Sequence, residues 1–334
     1  MSQMIEHKQG VFTVSLDFEL YWGMRDKRTL ANYSENLLGV EKAIYRMLSL
    51  FDEFNIHVTW ATVGFLFYDS VENLKKNLPL KKPNYTNKEL SPYTYINSSK
   101  LLEKKYHFAE EIVKKIVSTK NQEIGTHTFS HYYCLESGQT KDEFLADLLY
   151  AVNVTEKKVN QRVYSLVFPR NQWNEEYLSV VSKVGILSYR GNEKSWIYSA
   201  SNKENDFFLK RVGRLLDTYI KISGHNTYSL DDLKSNSGLL NIPSSRFLRP
   251  VSSKLAFLEK IRLKRIKNSM TYAAKNGELF HLWWHPHNFG TNLEKNLQFL
   301  SEILEHFKYL EKKYAMKSLN MKEISLELVD KNEN

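Results

Sequence analysis

Apolar residues along this chain recur with two different periods, and their alternation predicts the architecture. Residues 11–18, VFTVSLDF, place β-branched and aromatic residues in a short run between turn-prone neighbours and predict a strand. Leu37, Val40, Ile44, Met47, Leu48 and Phe51 recur at helical spacing and predict a helix over 36–54, followed by an apolar run over 56–63 as a second strand. Strand, helix, strand is the unit that builds parallel sheets. The alternation continues with a helix at about 99–118, a strand at 123–126, a helix at about 140–159 and a strand at about 163–168. A helix at about 174–184, a strand at about 186–189, a strand at 279–284 and a helix at about 293–314 complete the series. Two stretches interrupt it. Residues 80–98, with Pro83 and Pro92 among Asn, Ser, Tyr and Lys residues, read as an inserted loop, and 190–252 is irregular.

Serial βα units fit either a doubly wound sheet or a closed barrel. Gly23 stands without the further glycines of a dinucleotide fingerprint, so the first crossover carries no nucleotide signature. Residues able to do chemistry instead follow one strand after another, as they do where the carboxyl ends of barrel strands converge on one mouth. A single barrel-type domain over 1–334 is expected.

The candidate chemistry lies in four short stretches. Asp17 and Glu19 are two apart, so on a strand they share a face, and two carboxylates facing a core need a compensating cation. His127 and His131 follow Gly125 and are four apart, which on a helical turn puts both imidazoles on one side at metal-ligand separation. Two histidines and a carboxylate would leave open positions for water, as a catalytic metal site requires. Arg170 follows Pro169 after a strand and is a candidate for holding a catalytic carboxylate ionised. His281, His285 and His287 alternate on one face if the strand persists, and a general acid is a natural task for one of them. Trp283 and Trp284 read as core or pocket wall, with Trp284 taken as a substrate-binding residue.

Composition narrows the class. Hydrophobic residues are 42% and charged residues 25% of the 334, enough for a sizeable core. The single cysteine, Cys134, excludes an intramolecular disulfide framework and reads as a packing residue. No basic, apolar and cleavable leader precedes Val11, and no stretch approaches the roughly 20 apolar residues of a membrane span, so a cytoplasmic protein is expected. The net charge of +9 is concentrated: 254–267 carries six Lys or Arg against one Glu. That stretch is either a solvated helix face or a contact for a membrane surface or a phosphate-bearing substrate. No nucleic-acid recognition motif accompanies it.

In order and spacing these residues resemble the polysaccharide deacetylase family, the NodB-homology carbohydrate esterases, from about residue 11 to 290. The pieces that carry the likeness are Gly125-Thr-His-Thr-Phe-Ser-His131 and Leu282-Trp-Trp-His285. The resemblance implies an α/β fold, a distorted (β/α) barrel of about seven strands with loop insertions. It also implies a carbohydrate N-deacetylase, a hydrolase of non-peptide carbon–nitrogen bonds that uses a divalent metal, most often Zn²⁺. Asp17 would be the general base, His127 and His131 metal ligands, and Glu19 the third ligand in an Asp-x-Glu variant, although the spacing leaves open which carboxylate touches the metal. Leu282 would line the acetyl-methyl pocket, His285 would be the general acid, Arg170 the partner of the base, and a backbone N–H near Asn171 an oxyanion donor. The implied substrate is an N-acetylated sugar, nucleotide- or lipid-linked, in surface polysaccharide assembly. The rivals are a deformylase or cyclic imidase on the same scaffold and a non-catalytic carbohydrate-binding protein.

Overall fold

The computed structural model describes residues 8–98, 102–200, 208–234 and 238–333. Their strands are β1 (Val11–Phe18), β2 (Val58–Thr62), β3 (Gln122–Thr126), β4 (Ser165–Val167), β5 (Ser188–Arg190), β6 (Tyr228–Ser229), β7 (Leu240–Asn241), β8 (Arg246–Phe247), β9 (Glu278–Trp284) and β10 (Lys317–Ser318). They form one curled sheet in the order β6-β9-β1-β2-β3-β4-β5-β7, with β8 on β9 and β10 on β1. Every pairing is parallel except β6 with β9. The segment 240–248 joins the two sides of the curl. Ile242 and Ser244 donate to the carbonyls of Tyr189 and Gly191 beyond β5, and Ser245 and Leu248 donate to those of His281 and Trp283 on β9. The α/β barrel expected from the order of elements is the fold observed.

Strand alternation sorts the side chains into two environments. Phe12, Val14, Leu16 and Phe18 of β1 and Phe280, Leu282 and Trp284 of β9 face outward. They pack with Ile44, Met47 and Phe51 of helix Val40–Glu53 and with Ile303 and Phe307 of helix Leu293–Tyr314. Thr13, Ser15, Asp17 and His281 occupy the opposite face and are buried inside the curl. Glu123 on β3 accepts from Thr59 Oγ1 and Ser165 Oγ across that interior. Helix Met321–Glu333, which the sequence pattern did not predict, closes the end of the barrel away from the strand carboxyl ends. There Lys322 N donates to Glu123, and Ser325 Oγ donates to Ser188 Oγ.

Three expected elements differ in detail. The helix expected at 36–54 is two, Leu30–Leu38 and Val40–Glu53, meeting at Gly39. There the chain passes so close to the Gly290 carbonyl that a Cβ would stand 2.0 Å from its oxygen. The helix expected at 99–118 has residues 99–101 outside the described residues; the rest is Lys104–His107 and Glu110–Val117, split where Ala109 N bonds Leu66 O. Residues 80–98 are an ordered insertion carrying helix Pro92–Ser98, and Tyr85 Oη accepts from Tyr133 N behind the histidine stretch.

The irregular 190–252 region contains helix Phe208–Asp217, whose last residue is a hub. Asp217 accepts from Arg246, Arg265, Tyr198 and Ser223. The basic stretch lies in helix Ala256–Asn276, and two of its cations point inward: Arg265 to Asp217 and Arg262 to Glu259. Its charge is therefore partly structural. No described helix is long and apolar enough to cross a membrane.

Candidate metal centre

β1 delivers its two carboxylates by different routes. Asp17 is the last inward residue of the strand, and Glu19 lies just beyond it, where the chain turns into the 3-10 turn Leu20–Gly23. Gly23 leaves the room that Glu19 occupies, since a Cβ there would sit 2.0 Å from the Glu19 carboxyl carbon. His127 follows β3 directly. The stretch that carries it to His131 is a left-handed kinked loop and not the expected helical turn, with Thr128 at φ 63° and His131 at φ 59°. Asp147, from helix Lys141–Val159, holds that loop by accepting from the backbone N–H groups of Phe129 and Ser130 and from Ser130 Oγ. Burial raises the Asp147 carboxyl to about 6 against the pull of those donors.

Glu19, His127 and His131 meet with ligand atoms within 4.8 Å of one another, all buried. Glu19 Oε2 lies 2.9 Å from His131 Nε2 and 3.4 Å from His127 Nε2. His127 Nδ1 donates to the Val167 carbonyl at 2.7 Å, which sets the tautomer and leaves Nε2 as a bare acceptor. That Nε2 is buried and has no hydrogen-bond partner. Burial lowers His131 to about 4, so it is neutral at pH 7, as a ligand must be. The Glu19 carboxyl would be raised by burial, but His285, His127 and His131 outweigh this and hold it well below its ordinary value. An orphaned imidazole nitrogen, a second neutral imidazole and an ionised carboxylate are the donor set that a divalent metal of the zinc type takes.

Beside this triad Asp17 receives a two-pronged pair from Arg190, at 2.7 Å to Oδ1 and 2.8 Å to Oδ2. Arg190 also donates to Ser15 Oγ and to Asn171 Oδ1. Burial would raise the Asp17 carboxyl, yet Arg190 and His127 hold it below its ordinary value. His285 follows β9, with Nε2 3.8 Å from Asp17 Oδ2 and 3.7 Å from Glu19 Oε1. Its side chain is 23% exposed, where those of the two carboxylates are 4%, so it is the group that meets solvent.

Residues 39–188 match the family model of polysaccharide deacetylase. The chain is similar to the polysaccharide deacetylases. The match spans His127 and His131 but neither Asp17 and Glu19 nor β9. A solved structure assigned as a polysaccharide deacetylase from Mycobacterium smegmatis has a TM-score of 0.61 at 12% identity, covering 99% of this chain and 94% of that one. One assigned likewise from Pseudomonas aeruginosa PAO1 has a TM-score of 0.56 at 10% identity, covering 94% and 89%. A PuuE allantoinase has a TM-score of 0.51 at 10% identity, covering 94% and 88%. At such identities the solved structures show the fold, and the reaction must be argued from the site. No curated protein matches the chain.

Against the deacetylase pattern, four sequence expectations need correction. Arg170 is not beside Asp17: it pairs with Asp26, faces Glu136 and stacks on Tyr133 at 4.0 Å. Arg190 has that place, at the carboxyl end of a strand, which is the one signal that marks it in the sequence. Leu282 is fully buried among outward core residues, on the opposite face of β9 from His281, and does not line the site. Trp284 is likewise in the core, stacked on Phe289, and Trp283 takes the inward position, its ring 5.6 Å from that of His285. The Asn171 backbone N–H is spent on the Phe168 carbonyl at 3.0 Å, so the Asn171 contribution is its side chain on Arg190.

Proposed function

We propose that the chain is a metal-dependent N-deacetylase acting on a sugar or sugar-containing precursor in surface polysaccharide biosynthesis, within the cytoplasm. The observation that carries this reading is the buried, unpartnered His127 Nε2 facing Glu19 and His131 beside the Asp17–Arg190 pair. Glu19, His127 and His131 would hold the metal, most fittingly Zn²⁺, which supplies Lewis acidity and lowers the pKa of water. Asp17, kept ionised by Arg190, takes the proton from the attacking water. His285, partly exposed and within 4 Å of both carboxylates, gives a proton to the departing nitrogen. Trp283 forms the wall against which the sugar packs.

Elemental analysis and a panel of N-acetylated sugar conjugates test the proposal together. The parent should hold about one equivalent of metal after dialysis, and His127→Ala should hold none. Asp17→Asn and His285→Ala should keep the metal and lose on the order of 10²-fold or more in turnover, the usual worth of a positioned acid or base. Undiminished turnover in those two variants would refute the roles. Hydrolysis of formylated sugars or cyclic imides with acetylated ones untouched would move the reaction to another amide.

A further inference from the structure

A cleft of about 800 Å³ opens beside the metal centre, bounded by Asn171, Phe247 and Trp283 at one end. These residues tie it to the site: Asn171 holds Arg190, and the Phe247 and Trp283 rings lie 5.8 and 5.6 Å from that of His285. Its volume is that of a typical small-ligand site. Its charge is not typical. Seven Lys or Arg side chains line it against two acids, Asp26 and Glu193. Asp26 is taken by Arg170, and burial raises the Glu193 carboxyl from its ordinary value.

Three of the remaining cations make no ion pair among the described residues. Arg249 has the like charges of Arg214 and Arg262 as neighbours, donates from Nε to Thr218 Oγ1, and pairs with no carboxylate among the described residues. Arg28 and Arg211 also make no ion pair among the described residues and face the same cleft. Arg246, 3% exposed, uses Nη1 on Asp217 and leaves Nε and Nη2 unpartnered at the cleft wall. Gathering guanidinium groups without an anion costs Coulomb energy, which a bound anion would offset.

We propose that this cleft is an anion subsite that holds a phosphate or diphosphate group carried by the sugar substrate, with Arg28, Arg211 and Arg249 as its principal cations. The inference rests on the deacetylase reading only for which molecule carries the phosphate. Guanidinium forks match phosphate oxygens, and a cleft with cations strung along it suits an extended diphosphate better than a single carboxylate. The order of groups supports the pose. The Phe247 ring stands between His285 and Arg249, with the Arg249 guanidinium 5.9 Å from its centre, so a sugar on Phe247 and Trp283 reaches both the proton donor and the cation. Neither the 80–98 insertion nor helix Ala256–Asn276 lines this cleft, and Arg262 and Arg265 of that helix are committed to Glu259 and Asp217.

Isothermal titration with inorganic pyrophosphate reads the subsite directly. It is run on the parent, on His127→Ala/His131→Ala to remove binding through a metal, and on Arg211→Ala/Arg249→Ala. Affinity should survive in the histidine variant and fall about tenfold or more in the arginine variant, as loss of a charge-assisted contact implies. Should the double arginine variant melt early, Arg28→Ala/Arg211→Ala, both exposed, carries the same comparison. No binding in the parent, or equal affinity in the arginine variants, overturns the subsite. UDP-N-acetylglucosamine and a polyprenyl-diphosphate-linked N-acetylglucosamine in micelles distinguish the source of the phosphate, a raised KM in the arginine variant being expected for whichever is hydrolysed. Arginine-dependent pyrophosphate binding with no hydrolysis of any acetylated sugar leaves the subsite standing and removes the deacetylase. Hydrolysis of neutral chitooligosaccharides with a KM indifferent to the arginines does the reverse.

Discussion

Replacing Asp217 by Asn should separate one buried ion network from the rest of the fold's stability, with a pH signature that can be worked out beforehand. Asp217 is fully buried and accepts from Arg246, Arg265, Tyr198 and Ser223, so it joins the end of helix Phe208–Asp217 to helix Ala256–Asn276 and to β8. Burial raises its carboxyl, but Arg246, Ser223 and Arg265 outweigh this and bring it from 3.8 to about 2. A folded-state pKa below the unfolded one means the charged form stabilises the fold. That contribution is complete above the unfolded value and is lost as pH falls through the folded one. At 1.36 kcal/mol per unit it comes to about 2 kcal/mol at pH 7 and about 1 kcal/mol at pH 3. Asp217→Asn also leaves two buried guanidinium groups short of a partner, so the whole loss at pH 7 should be about 3–5 kcal/mol. Urea unfolding of parent and variant at pH 7 and pH 3 measures both. The gap between them should narrow by about 1 kcal/mol on acidification. A gap that stays constant or widens would show that the Asp217 charge is not what holds this region.

Two further substitutions test the site and the strand register. Arg190→Met should keep its metal but lose on the order of 10²-fold in turnover, because Asp17 remains buried with its main cation gone and its carboxyl drifts upward. The loss of a buried partner should also cost about 3–5 kcal/mol in unfolding, and turnover within about threefold of the parent would refute the assignment. Trp284→Ala should cost about 3–5 kcal/mol of stability as a core deletion. Trp283→Ala, at a site-facing ring 9% exposed and stacked on Arg190, should cost less stability than Trp284→Ala and raise KM. The opposite pattern in KM and melting would mean that the faces of β9 have been exchanged.

The legible part of this molecule was what strands announce. Asp17, Glu19, His127 and His131 were readable because each carries a chemically telling side chain next to an apolar run, and the runs themselves implied the alternating order. Arg190 escaped because an arginine at the end of a three-residue strand looks like any edge cation, and its partner Asp17 is 173 residues away. Asp147 escaped for the same reason on a helix, where an acid reads as solvated until the 128–131 loop is seen to fold onto it. The error over Leu282 and Trp284 was one of parity. Moving one residue along a strand exchanges its faces, so Trp283 and not its neighbours belongs to the site. Helix Phe208–Asp217 has amphipathic spacing, yet it stands in an otherwise irregular stretch, leaves Phe208, Leu209, Leu215 and Leu216 exposed and buries only Asp217, so its tertiary partners and not an apolar face anchor it.

The interior hydrogen bonds also show why closure of the barrel and ionisation of the base belong together. Arg190 has only protons to give, so Ser15 Oγ must accept from its Nη1 and must pass its own proton elsewhere. The acceptor within reach is His281 Nε2, at 2.8 Å. His281 can accept there only as a neutral imidazole, and burial lowers it to about 3, which keeps it neutral across the working range. Its proton therefore sits on Nδ1 and points to the Ile242 carbonyl at 3.3 Å. Ile242 lies in the segment that bonds to both β5 and β9 and joins the sides of the sheet. The orientation of every group in this chain follows from the charge on Arg190. The same guanidinium that keeps Asp17 a carboxylate thereby helps to fasten the strand that closes the barrel, and a polar interior, costly to bury, is retained because each of these partners is used.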